Sequence, residues 1–179
     1  TANEAEATRD PLTGALTAAY LRTESEKRFS YAKRHDGELS VMALRIDTAG
    51  DIVRSVGRDA AEQLIARVAK LLMGQVRAED SVARMAAATF MVVSPGTSAA
   101  QMLKLAKRLQ SQLQQAKVAY AGQQLRISAS YGVSSLRVDT VNSVDELMGV
   151  ATKRLDGGTF TLPAETLPAE VDQALRVLE

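Results

Sequence analysis

The stretch SVARMAAATFMVVSPG, residues 81–96, predicts two short apolar strands joined by a tight connection. Residues 86–89 at the joint are three alanines and a threonine. Hairpin turns of this length usually recruit Gly, Asn or Asp, because these residues adopt positive φ at little cost. The stretch therefore predicts a hairpin, and the alanines at its tip indicate that residues with a function have been replaced there.

Composition sets limits on the class of protein. The chain has 179 residues, of which 46% are hydrophobic and 24% charged, with a formal net charge of +1. These values are typical of one globular domain with a substantial core. The even charge balance argues against a nucleic-acid partner or a charged membrane surface. With no cysteine and a single histidine, His35, the chain has no disulfide, thiolate or multi-histidine metal site.

We expect neither a signal peptide nor a membrane span in this sequence. No apolar run approaches the ~20 residues that span a bilayer, and no signal peptide opens the chain. We therefore expect a cytoplasmic location without direct membrane insertion. Because the first residue is threonine, we also expect this chain to be a piece of a longer polypeptide. One case of this is the cytosolic part of a membrane-anchored protein.

Apolar periodicity predicts alternating helices and strands around the hairpin. Helices are predicted over 21–38, 59–73, 98–117 and 143–155, and further strands over 39–46 and 124–136. Gly74 is the predicted stop of the second helix, and His35 is expected to be solvated near the end of the first. The predicted apolar positions of the first helix are Tyr20, Leu21, Phe29 and Tyr31. This order predicts an α/β or α+β architecture in which helices cover a sheet. We expect a linker at 1–9, the domain at 10–158, and a linker or docking helix at 159–179.

Five segments, in order and with natural spacing, resemble the GGDEF domain of bacterial diguanylate cyclases. They are DPLTGAL at 10–16, LRID ending at Asp47, GRDAAEQLIARVAKLL at 57–72, VARMAAATFMVVSP at 82–95 and ISASYGVSSL at 127–136. The resemblance implies a nucleotidyl-cyclase-like fold, with a central five-stranded, mainly antiparallel sheet wrapped by helices.

The hairpin tip departs from the family pattern. At the family's GGDEF signature this chain has Ala86, Ala87, Ala88, Thr89 and Phe90. The family's glycines allow the backbone to approach GTP, and its acidic residues hold divalent metal ions. Alanine and threonine supply no such charge. Asp47 keeps a ligand position of the family, but one carboxylate is a poor magnesium site, and we expect it to pair with Arg45 or Arg54 instead.

Two further positions depart from the family. Val53 and Arg54 stand where the family has an Asn-Asp pair that recognises guanine, and 156–163 replace its C-terminal lysine motif. We therefore predict a degenerate domain with no catalytic residues, no metal and no cofactor, which is not an enzyme.

The segment ahead of the hairpin keeps another motif of the family. Arg77 and Asp80 form an RxxD pattern that ends five residues before the signature position, and Arg108 lies 18 residues after Phe90. The resemblance implies an inhibitory-type site for cyclic di-GMP made by these three residues. Arginine can donate two hydrogen bonds to the O6 and N7 edge of guanine, and a carboxylate can accept from N1 and N2.

The sequence favours two functions over residual GTP binding without turnover, which Val53 and the missing glycines disfavour, and over an active cyclase. The first is a cyclic di-GMP receptor, which relays the level of the messenger to attached domains or a protein partner and forms a dimer linked by the ligand. The second is a non-binding interaction module in which the apolar hairpin and the C-terminal segment contact a partner. The resemblance implies signalling that controls biofilm, motility or the cell cycle. Loss of binding when Arg77 or Asp80 is replaced would distinguish the two.

Overall fold

The computed structural model describes residues 8–156. Most of the predicted linker 1–9 and all of the segment 159–179 lie outside the described residues. The strands are β1 (Leu16–Thr17), β2 (Leu39–Ile46), β3 (Ser81–Ala86), β4 (Thr89–Pro95), β5 (Val118–Tyr120), β6 (Gln123–Leu125) and β7 (Ala129–Ser135). The helices are α1 (Ala18–Arg34), α2 (Ala49–Ser55), α3 (Arg58–Gln75), α4 (Ala99–Gln115) and α5 (Val144–Lys153), followed by a 3₁₀ turn at Arg154–Asp156.

Five strands form the central sheet in the order β1-β3-β4-β2-β7. Every neighbouring pair is antiparallel except β1 and β3. In the middle of β2, Leu44 lies opposite Phe90 of β4 on one side and Tyr131 of β7 on the other. The predicted five-stranded, mainly antiparallel sheet with covering helices is confirmed.

Helices cover both faces of the sheet. Met42, Leu44 and Ile46 belong to one buried cluster with α3 and α4, whereas Val41 and Ala43 belong to a second cluster with α1 and α5. Side chains alternate between the two faces of a strand, so both sets of β2 positions are buried. This double burial explains why the strand is an almost continuous apolar run in the sequence.

The helices differ in detail from their prediction. Helix α1 begins at Ala18, because the Thr17 side chain accepts from the Tyr20 amide and caps it. Tyr20 and Tyr31, predicted as apolar positions, have exposures of 37% and 68%. The predicted stop of α3 at Gly74 is also wrong, because the helix continues through Gln75. His35 is exposed at the C-cap of α1, as expected, with its ring centroid 4.3 Å from that of Tyr31.

The strand predicted over 124–136 is two strands. β6 pairs with β5 in a separate hairpin, and the central sheet receives only β7. The hairpin turns at Ala121 and Gly122, whose φ values are 49° and 79°. Two residues with positive φ suit a two-residue hairpin, but alanine gives no sequence signal for it.

The tip of the β3–β4 hairpin needs no positive φ. Among the described residues, positive φ outside glycine occurs at Asp36 and Ala121 and not at 86–89. Arg84 supports the tip instead, by donating from Nε and Nη2 to the Ala87 carbonyl at 3.0 and 2.8 Å. The Ile46 amide donates to the Ala88 carbonyl at 2.9 Å. Alanines are therefore tolerated here because side-chain and backbone donors from outside the turn fix it.

Arg84 also connects the hairpin with the start of the domain. Its Nη1 lies 3.3 Å from both carboxylate oxygens of Asp10, and each of the two side chains is 18% exposed. Thr13 donates to Asp10 from its amide at 3.0 Å and its hydroxyl at 2.7 Å. Burial alone would raise the pKa of Asp10, but the Thr13 hydrogen bonds and the Arg84 charge together outweigh it and lower that pKa.

Two glycines provide a matched test of packing between α5 and β7. A Cβ at Gly132 would collide with the Ala151 carbonyl oxygen and lie 2.9 Å from Arg154 Cβ, whereas a Cβ at Gly149 would meet nothing within 4 Å. We expect Gly132→Ala to lower the free energy of unfolding by about 2–3 kcal/mol. Gly149→Ala, inside α5, should raise it by roughly 0.5–1 kcal/mol. Urea unfolding measures both, and equal effects of the two substitutions would contradict this packing.

The Asp10 carboxylate should stabilise the fold at neutral pH. Because its pKa is lowered in the folded state, its contribution is present above the unfolded value of about 4 and is lost as the pH falls through the folded value. We expect Asp10→Asn to cost about 1–2 kcal/mol at pH 7, and progressively less as the pH falls from about 4 through the lower folded value. Asp51→Asn is the control, since its ion pair with Arg54 is largely exposed. A pH-independent loss for Asp10→Asn would contradict this account.

Candidate functional site

A polar cleft of about 390 Å³ lies between α1 and the turn that joins α3 to β3. Its polar and aromatic lining comes from three places: Arg9 before β1, Tyr20, Glu24 and Arg28 of α1, and Arg77, Asp80 and Ser81 at the turn. Of the turn residues, Arg77 and Asp80 were predicted from the sequence and Ser81 was not. The α1 residues were not, although their four-residue spacing places them on one helix face and was the available signal.

The turn brings the two ends of the RxxD pattern together. The Arg77 amide donates to Asp80 Oδ2 at 2.8 Å, and the Asp80 amide donates to the Arg77 carbonyl at 3.0 Å. Asp commonly forms such side-chain-to-backbone turns two or three residues from its partner. The spacing of three residues thus closes a tight turn and places both side chains in the lining of one cleft.

Asp80 presents an unsatisfied acceptor in this cleft. Its side chain is 4% exposed, and its Oδ1 is buried without a hydrogen-bond partner among the described residues. Native proteins leave few buried polar atoms unpaired, because the desolvation cost is about 1–3 kcal/mol and higher for a charged group. The Oδ1 atom is therefore a strong candidate to accept hydrogen bonds from a ligand.

Arg77 is more loosely held than Asp80. Its side chain is 53% exposed, and its Nε lies 3.5 Å from Glu79 Oε1 and 3.9 Å from Asp80 Oδ2. Its Nη2 donates to the hydroxyl of Thr97. Exposed ion pairs at these distances contribute little free energy. The guanidinium can therefore exchange them for a bound ligand at small cost.

Arg108 lies beside the cleft rather than in it. Its Nε donates to Gln75 Oε1 at 3.2 Å, which ties α4 to the last residue of α3, two positions before Arg77. Arg108 is exposed and does not belong to the lining of the cleft. The structure therefore brings Arg77 and Asp80 together and leaves Arg108 on the adjoining surface.

Asp47, the predicted vestigial metal-ligand position, directly follows β2 beside the tip of the β3–β4 hairpin. Its carboxylate accepts from Arg45 Nε at 3.0 Å and from the Ser130 hydroxyl at 2.5 Å. Arg45 also donates to Asp156 at 2.7 Å, and its hydrogen bonds to Asp156 and Asp47 raise the pKa of the guanidinium. The pairing of Asp47 with Arg45 is confirmed, whereas Arg54 pairs with Asp51.

Residues 8–156 contain no group of three or more His, Cys, Asp or Glu side chains placed to hold a metal ion. Within the same range, no helix has both the length and the apolar character that a membrane crossing requires.

The family comparison covers most of the chain. The family model described as "Diguanylate cyclase, GGDEF domain" matches residues 7–157. Diguanylate cyclase DosC of Escherichia coli (strain K12) is 24% identical over 151 residues, which are 81% of this chain and 33% of DosC. The chain thus spans about a third of the length of the curated relatives it matches.

Solved structures have the same fold. A sensory box/GGDEF family protein from Caulobacter crescentus CB15 is 28% identical, with a TM-score of 0.78 over 84% of this chain and 96% of the other. The GGDEF domain of DgcB from Caulobacter crescentus, solved in complex with cyclic di-GMP, has a TM-score of 0.79 at 18% identity, over 84% and 88% of the two chains.

These comparisons correct one prediction and establish the family. The prediction that the chain is not an enzyme is contradicted, because the curated relatives are named diguanylate cyclases and the residues matched by the family model include the altered hairpin. The chain belongs to the family of diguanylate cyclase GGDEF domains.

Proposed function

We propose that this domain binds cyclic di-GMP in the cleft between α1 and the Arg77–Asp80 turn and acts as a receptor for it. The observation that carries the proposal is Asp80, whose buried Oδ1 has no partner among the described residues while its Oδ2 is held by the Arg77 amide. One carboxylate oxygen fixes the turn, and the other remains free for a ligand.

Guanine has the complementary chemistry. Its N1 and N2 hydrogens are donors on one edge, which a single carboxylate oxygen can accept. Its O6 and N7 are acceptors on the other edge, which a guanidinium can contact with two parallel hydrogen bonds. Asp80 and Arg77 supply one group for each edge from a single turn. The cleft, at about 390 Å³, lies within the usual range of small-molecule sites, roughly 300–1,000 Å³.

Arg108 supports the proposal in a second way. It is exposed on α4 beside the end of α3, so its guanidinium can reach past Gln75 toward a ligand that extends out of the cleft. A cyclic dinucleotide has two guanines and two phosphates, and arginine suits both. We propose that Arg108 contacts the part of the ligand outside the cleft, including a second ligand or a second copy of the domain.

The receptor would act by a shift of populations. A ligand can change the protein only if it binds one arrangement better than another. The cleft joins α1 to the α3–β3 turn, so its occupancy would favour arrangements in which these two elements are fixed relative to each other. Attached domains or a protein partner would respond to that change.

The interaction-module alternative loses part of its basis. It depended on the apolar hairpin as a docking surface, but Phe90, Met91, Val92 and Val93 are all at most 2% exposed. Its other part, the segment 159–179, lies outside the described residues. We therefore keep this function only as an outcome of the binding test.

Isothermal titration of cyclic di-GMP into the chain tests the proposal. Bound nucleotide is first removed and its absence checked by absorbance, because a preformed complex would mask binding. We expect a Kd in the micromolar range or tighter. Arg77→Ala should weaken binding at least about a hundredfold, since each charge-assisted hydrogen bond is worth about 1.5–3 kcal/mol and 1.4 kcal/mol is tenfold.

Asp80→Asn is the sharper variant at the second position. Asparagine keeps the shape and can still accept from the Arg77 amide, but it presents a donor where the guanine edge also donates. We expect a comparable loss of affinity with little change in thermal stability, and a smaller loss for Arg108→Ala. Arg126→Ala removes an exposed arginine that lines none of these surfaces and should bind normally. Absence of heat up to high micromolar ligand would reject the receptor in favour of the interaction module.

A further inference from the structure

The α1 side of the cleft is a stripe of three functional side chains. Tyr20, Glu24 and Arg28 follow one another at four-residue intervals on α1. All three line the same cleft as the Arg77–Asp80 turn. Residues four apart lie on the same face of a helix. The helix thus offers an aromatic ring, a carboxylate and a guanidinium to the same space.

Arg28 is the residue of this stripe whose side chain has a buried donor without a hydrogen-bond partner among the described residues. The residue is half-buried, and the donor is its Nε. Leaving a buried donor unsatisfied costs free energy, and the cost is greater for a charged group. A structural role alone would pair this nitrogen with an acceptor of the protein, and the described part of the chain supplies none.

The unmet donor and the unmet acceptor belong to the same cleft. Arg28 Nε comes from α1 and Asp80 Oδ1 from the turn after α3, and they do not satisfy each other. Four described side-chain atoms are buried without a partner among the described residues, and two of these four belong to residues that line this cleft. A ligand with an acceptor at one end and a donor at the other would satisfy both atoms at once.

We infer that Arg28 is a ligand-binding residue of this cleft and binds a phosphate of the cyclic dinucleotide; the inference rests on the proposed function. When Asp80 accepts from the guanine edge, the sugar-phosphate part of the ligand is the remaining acceptor. A guanidinium matches a phosphate with two parallel hydrogen bonds, and arginine is the usual residue for this purpose. Ligand binding therefore connects α1 directly with the α3–β3 turn.

A second cleft requires a control. Arg28 and Glu24 also border a more apolar space of about 500 Å³, whose other lining residues include Lys27 and Tyr31 of α1 and Pro95 and Gly96 after β4. Lys27 lines this second cleft and not the first. Lys27 is adjacent to Arg28 and carries the same charge, so its substitution distinguishes binding in the second cleft from binding in the first.

The test is Arg28→Met, which keeps an unbranched apolar stem and removes every donor. Titration with cyclic di-GMP should show at least tenfold weaker binding than the unchanged chain. The melting temperature without ligand should stay equal or rise, because the substitution removes an unpaired buried donor. Arg28→Lys keeps the charge without the planar fork and should bind with intermediate affinity. Lys27→Ala should bind like the unchanged chain.

The outcomes separate this inference from the function on which it rests. Normal affinity in Arg28→Met, with affinity lost in Arg77→Ala, would reject Arg28 as a ligand residue and leave the receptor intact. Affinity lost together with a fall of several degrees in the ligand-free melting temperature would assign Arg28 a structural role and overturn the inference. Equal losses in Lys27→Ala and Arg28→Met would move the ligand to the second cleft and also overturn it. No binding by the unchanged chain would reject both proposals.

Discussion

The burial of β2 on both faces and both edges is the constraint on which the rest of the structure depends. Its backbone pairs with β4 on one edge and β7 on the other, over seven residue pairs in each case. Its alternate side chains enter two separate cores, one with α3 and α4 and one with α1 and α5. A shift of one residue would exchange these two sets, so the register is strongly specified. The strand order and the place of every covering helix follow from it.

That constraint also fixes where functional groups can lie. The strands of the sheet are covered on both faces, so polar groups with a task must lie at strand ends and in the connections. The cleft forms at such a connection, where α3 ends and β3 begins beside α1. Asp47 lies at the other such edge, beside the hairpin tip, where Arg45 and Ser130 donate to its carboxylate and Arg45 also donates to Asp156. The two edges differ, because the Asp47 carboxylate has protein partners whereas one oxygen of Asp80 has none within residues 8–156.

The sequence predicted those parts of the molecule that depend on local pattern. The run 39–46 had the bounds of the observed strand, and RxxD spacing was sufficient to place Arg77 and Asp80 in one turn. Packing between elements that are distant in the chain could be predicted less well. Tyr20 and Tyr31 have apolar rings at helical spacing, yet the sheet lies against Leu21 and Phe29 and leaves both tyrosines exposed. The β5–β6 hairpin turns through Ala121, a residue that rarely adopts positive φ and so gives no turn signal. The α1 wall of the cleft was missed for a similar reason, since its partner in the fold lies about fifty residues away in the chain.

The unsatisfied atoms of the cleft give a physical account of how such a site can signal. In the free domain, Asp80 Oδ1 and Arg28 Nε add a desolvation cost to the folded state that nothing in the described chain offsets. Under the proposed function, a ligand that supplies the missing donor and acceptor would offset this cost, and binding would then stabilise this region. A ligand present at a hundred times its Kd would stabilise the occupied state by about 2.7 kcal/mol. Because the two atoms belong to α1 and to the α3–β3 turn, that free energy would act between these elements rather than within either of them.

Helix α1 follows directly from β1, and the Asp10–Arg84 ion pair holds the segment before β1 to the hairpin. Because α1 connects the cleft with that segment, we propose that ligand binding changes the stability of the start of the domain without a rearrangement of the core.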